Sequence, residues 1–102
     1  MPQKESYLLL LIAYTTHPNQ REAFHKAILN GNIQDASRAE AGNISYDYFL
    51  ALDSKDGLLL VEKWVDQASL DLHRTTPHFA QVQALRKIYV LESSVVRTLV
   101  YL

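Results

Sequence analysis

The chain has 102 residues, 48% hydrophobic and 21% charged, with a formal net charge of −1 and no cysteine. That composition belongs to one globular domain spanning residues 1–102, and ten Lys plus Arg spread among eleven Asp plus Glu give no basic patch for nucleic acid or an anionic membrane. Without cysteine there is no disulfide, thiolate nucleophile or zinc–thiolate site, which fits a reducing cytoplasm.

Tyr7 to Tyr14 is apolar at nearly every position, too short to span a bilayer and too short for a stable helix, so it reads as a strand buried on both faces. No small-residue cleavage pattern follows it. His17-Pro18-Asn19 ends the strand, and Asn19 with Glu22 forms a capping-box-like start for a helix through Phe24, Ala27 and Ile28. Ile33 falls nine residues after Phe24, on the opposite side of an unbroken helix. A break at Gly31 is therefore expected, with the helix continuing to about Ala41 and stopping at Gly42-Asn43.

Ile44 to Leu52 alternates at strand period, Asp53 to Gly57 is a turn, and Leu58 to Val65 returns as the second arm of a hairpin. Asp66 caps a short helix ending at His73. Thr76 and Pro77 start another that carries Phe79, Val82, Arg86 and Tyr89 on one stripe, and Val95 to Leu102 is the last strand. The order βαββαβ predicts a ferredoxin-like α+β sandwich. Two helical segments cover one face of four strands, and at least three strands are apolar on both faces. The expected remedy is a homodimer packed sheet on sheet.

Three stretches, SRAEAGNISYDYF, EKWVD and LDLHRTTPHF, resemble the antibiotic biosynthesis monooxygenase domain family over nearly the whole chain. The most specific parts run from Arg38 to Tyr46 and from Glu62 to Phe79; Asn30-Gly31-Asn32 departs from the usual first helix. The resemblance implies a cytoplasmic, dimeric α/β barrel and a cofactor-independent monooxygenase. In that chemistry an electron-rich phenol or quinol is bound, deprotonated and left to reduce O2 itself, with no flavin, haem or metal. A haem-degrading branch uses a histidine where this chain has Gln83, so haem is not expected. A relative that processes a phosphorylated autoinducer-2 sugar has a run similar to HRTTPH, which keeps a sugar-phosphate isomerase as an alternative, beside a non-catalytic binding module.

His73 shares a helix face with Leu70 and is the candidate proton acceptor. Glu62 lies on a strand face with Leu58, Leu60 and Trp64, where a carboxylate needs a partner; it is the candidate to orient His73. If Leu52 pairs with Leu58, Glu62 faces Tyr48 and Trp64 faces Tyr46, a patch of two phenols and an indole; the alternative is a structural aromatic ladder. Trp64, Tyr46, Tyr48 and Phe79 are candidate substrate contacts. So is Arg97, which shares its face with Val95, Leu99 and Tyr101 and suits either an anionic ligand or a pairing with Glu62 or Asp47. His78 reads as a helix-start residue. The four histidines show neither helical i,i+4 nor H-x-H spacing, so no metal site is expected.

Overall fold

The structure, a computed structural model, describes residues 5–102. Four strands, β1 (Ser6–Thr16), β2 (Asn43–Leu50), β3 (Gly57–Trp64) and β4 (Val90–Tyr101), are joined by two helical segments, α1 (Arg21–Asn30) with α2 (Ile33–Arg38), and α3 (Gln67–His73) with α4 (Pro77–Tyr89), which share one face of the sheet. The strands form one antiparallel sheet in the order β2-β3-β1-β4. This α+β sheet is open. The expected α/β barrel does not form, because β2 and β4 lie at opposite edges and four strands are too few to close around their own side chains.

Burial alternates along β1: Leu8, Leu10, Ile12, Tyr14 and Thr16 are buried, while Tyr7, Leu9 and Leu11 are half-covered and Ala13 is exposed. The expected burial of β1 on both faces is therefore not met within one chain. The buried set meets Phe24 and Ile28 of α1, Ile33 of α2, Leu70 of α3 and Val82 of α4 in a single core. β4, an edge strand, carries Val95 and Leu99 about half exposed on the helix face and Val96 about half exposed on the opposite, uncovered face.

The first helix breaks at the expected place, but Gly31 keeps an ordinary helical conformation and Asn32 takes the left-handed one at φ 58°. That single residue re-phases the chain so that Ile28 and Ile33 both face the core. Asn19 is not the cap of α1. It too is left-handed, at φ 66°, and its N–H donates to Asp56 Oδ1 at 2.9 Å, docking the helix start on the β2–β3 loop. Arg21 Nη1 reinforces this by donating to the carbonyls of Ala51, Ser54 and Gly57. Gly42 lets β2 approach α3: a Cβ there would stand 2.0 Å from Ser69 Oγ and 2.3 Å from Ser69 Cβ.

The hairpin register differs from expectation by two residues: Leu50, not Leu52, pairs with Leu58. Ala51 N–H to Gly57 O and Gly57 N–H to Ser54 O close the turn earlier than its polar residues suggest. A shift of two preserves which face each side chain occupies, but it sets Glu62 opposite Tyr46 and Leu60 opposite Tyr48. β4 also starts five residues before the expected Val95, because pairing with β1 carries through the polar Glu92-Ser93-Ser94. Among the described residues no helix is long and apolar enough to cross a membrane.

Candidate active site

Three sheet registers and two helix caps set the site. Tyr46, Glu62, Leu10 and Arg97 are cross-strand neighbours in one row over β2, β3, β1 and β4, on the face beneath the helices. Above that row Asp66 accepts from Ser69 N–H and starts α3, which ends at His73. Thr76 Oγ1 then donates to the His73 carbonyl at 2.6 Å and accepts from Phe79 N–H at 3.2 Å, so one hydroxyl closes α3 and opens α4.

His73 is buried, 1% exposed, in an aromatic enclosure. Its ring centroid lies 4.7 Å from Trp64, 5.4 Å from Phe79, 5.6 Å from His78 and 5.8 Å from Tyr46. Nδ1 is 2.6 Å from Glu40 Oε2, and His78 Nε2 is 2.7 Å from the same oxygen. A carboxylate only accepts, so both imidazoles donate to it and His73 carries its proton on Nδ1. Its Nε2 makes no hydrogen bond among the described residues. The ring as a whole lines a cavity, and among the described residues Tyr48 Oη is the one side-chain polar atom both buried and unpartnered. Burial lowers the His73 pKa, and Glu40 opposes that shift only in part.

That cavity has a volume of about 190 Å³. Leu10, Ile12, Leu70 and Val95 give it aliphatic walls, Phe79 an aromatic one, and Glu62, His73, Arg74, Gln83 and Arg86 its polar groups. Glu62 is 4% exposed, and its Oε1 accepts from Trp64 Nε1 at 3.0 Å. Burial pushes its pKa up to about 7, against the pull of the Trp64 N–H and the charge of Arg74. The group that orients His73 is therefore Glu40, while Glu62 is bonded to the indole and faces the cavity separately.

Of the residues singled out from sequence, His73, Glu62 and Phe79 share the cavity wall. Trp64 and Tyr46 are fully buried behind His73. Tyr48 lies farther along β2 beside Tyr46 and His25. Burial raises the phenol pKa of both tyrosines, so neither serves as a base near neutrality. Arg97 pairs with neither Glu62 nor Asp47: its guanidinium donates to Gln67 Oε1 at the start of α3, and Asp47 is held by Arg38 at 2.6 Å. Glu40, which sequence reasoning passed over, sits in the α2–β2 connection 33 residues before His73. Its one signal was its place in the Arg38-x-Glu40-x-Gly42 stretch. Spacing likewise hid the grouping of Glu40, His73 and His78, whose donor atoms lie within 4.8 Å of one another. As placed, the three satisfy each other by hydrogen bonds, and a cation there would have to displace both imidazole protons.

The helices and sheet thus hold a small cavity with a carboxylate-bound histidine in its wall, an arrangement of the size and polarity that suits a small molecule. The family described as "Antibiotic biosynthesis monooxygenase" matches residues 8–85, and the chain belongs to that family. It is 34% identical over 73 residues to "Putative monooxygenase YcnE" of Bacillus subtilis (strain 168), covering 71% of this chain and 75% of that protein. Among solved structures it is similar to PA3566 from Pseudomonas aeruginosa, with TM-score 0.82, 25% identity and coverage of 95% of this chain and 94% of that one. A conserved protein from Methanosarcina mazei Go1 shares the fold at TM-score 0.84, with 21% identity over 94% of each chain.

Proposed function

We propose that this protein is a cofactor-independent monooxygenase that oxidises a small phenolic or quinol-like compound in the cavity between the sheet and α3–α4. The observation that carries the reading is the Glu40–His73 pair: one imidazole nitrogen is held by a carboxylate, and the ring lines the cavity. Glu40 keeps Nδ1 protonated and favours the imidazolium that forms when Nε2 takes a phenolic proton. The ring anion then supplies the electrons that reduce O2. One oxygen atom enters at a ring carbon in its keto, CH2 form, the other leaves as water with the two hydrogens, and a C=O remains. Phe79 and the aliphatic walls limit water around the ring, and Glu62, whose pKa burial raises to about 7, offers a hydrogen bond to the substrate oxygen when protonated.

We read the protein as a cytoplasmic homodimer, with the sheet face of Leu9, Leu11, Leu59 and Val61 covered by a second copy. Those side chains are half-covered in one chain, and the apolar face they form suits a partner. The test of the activity is O2 uptake across a panel of quinols. His73→Ala is expected to lower the rate by roughly a hundredfold or more while the protein stays folded. An unchanged rate removes His73 from the chemistry. No uptake by the unsubstituted protein on any quinol turns the reading toward a sugar-phosphate isomerase, which the convergence of Arg74 and Arg86 on the cavity favours over a plain binding module.

A further inference from the structure

We infer that the compound taken into the cavity is an anion: a single-ring hydroxylated aromatic acid whose carboxylate is held by Arg86 and Arg74 while its phenolic oxygen faces His73. This rests on the proposed function of the same cavity and narrows its substrate class. Two guanidiniums line the cavity against one carboxyl group, Glu62. Neither arginine is ion-paired among the described residues, where the salt bridges are those of Arg38 with Asp47 and of Glu40 with its two histidines. A partly open cavity with surplus positive charge in its lining favours an anion.

Arg86 is also set in advance for the task. Its Nη1 donates to Gln83 Oε1 at 2.8 Å, its Nη2 to Ser93 Oγ at 2.8 Å, and its guanidinium stands 5.5 Å from the Tyr14 ring centroid. Two of its five N–H groups are spent in this way, which leaves a fixed fork with donors to spare for a carboxylate. Arg86 and Gln83 also line a second, more open space of about 340 Å³ between α4 and β4. Arg86 is thus shared by the linings of both spaces, so the acidic end of a ligand lies on the α4–β4 side of the cavity and the ring lies inside. A cavity of about 190 Å³, below the roughly 300–1,000 Å³ of drug-sized sites, suits an occupant of one ring.

The test is calorimetric titration under nitrogen with 2,5-dihydroxybenzoate, hydroquinone and hydroquinone monophosphate. The acid should bind about tenfold or more tightly than hydroquinone at low salt. Arg86→Gln should abolish that preference while leaving hydroquinone binding in place. Because Arg86 also braces α4 against β4, Arg74→Gln is the second variant: Arg74 is exposed and makes no side-chain hydrogen bond among the described residues, and its loss should lower acid affinity several-fold. Equal affinity for the acid and hydroquinone, or a preference untouched by both variants, overturns the inference; tighter binding of the monophosphate overturns the carboxylate assignment. Preferential acid binding without O2 uptake in air supports this inference and refutes the oxygenase reading, so the two fail separately.

Discussion

Glu40→Gln isolates the role of the carboxylate behind His73. The amide oxygen of glutamine still accepts from the His73 Nδ1–H now bonded at 2.6 Å, so the ring keeps its orientation and loses only the charge behind it. A hydrogen bond to a charged group contributes about 1.5–3 kcal/mol and a neutral one about 0.5–1.5. The difference of about 1–2 kcal/mol is felt mainly by the imidazolium formed during proton transfer. The plateau of kcat/KM for O2 uptake should therefore fall about five- to thirtyfold. The acid limb of the profile should move as well. His73 works as a base only when neutral; its pKa lies below the ordinary value because burial outweighs Glu40, and removal of Glu40 leaves burial opposed by less. The limb thus shifts to lower pH while the plateau drops. Imidazole 15N spectra of the resting unsubstituted protein should show the proton on Nδ1. A full plateau, an unmoved limb or an Nε2–H tautomer would refute the dyad.

Glu62→Gln tests the buried carboxyl by stability. The Glu62 pKa rises on folding from 4.5 to about 7, so its proton is bound more tightly in the folded state; the stability this gives is present at low pH and is lost as pH rises through 7. The substitution keeps an acceptor for Trp64 and should flatten that decline, gaining up to about 3 kcal/mol above pH 8 in chemical denaturation; parallel profiles would show that Glu62 is not desolvated. Gly42→Ala should cost about 1–3 kcal/mol by driving a methyl into Ser69, and Ser69→Gly in the same chain should recover most of it; no recovery would place the strain elsewhere. Sedimentation at micromolar concentration should show a dimer, and a stable monomer would leave the outer sheet face without its expected cover.

The α+β class, the order of elements and the inward direction of His73 were legible because they depend on periodicity and caps. Asp66, Thr76 and Pro77 act where the sequence places them. What escaped depends on distance through space. The hairpin register turned on backbone hydrogen bonds at Ala51 and Gly57, and the length of β4 on its pairing with β1. The dyad carboxylate came from a turn 33 residues away, and Arg97 chose an amide on α3 over either acid. A local pattern records which face a residue occupies; it does not record which of several charged groups on that face will meet.

The Thr76 hydroxyl, bonded to the carbonyl of His73 and the amide of Phe79, makes residues 73–79 a rigid corner carrying the proposed base at one end and an aromatic wall of the cavity at the other. Such a corner has no slack. An inserted residue between Thr75 and Thr76 would swing His78 away from Glu40 and Phe79 off the cavity, whereas the hairpin tip at fully exposed Leu52, with Arg21 gripping the chain on both sides of it, can lengthen without disturbing either. Variation among chains built this way is therefore expected to collect in the length of that hairpin, far from the chemistry, while the corner changes by substitution alone.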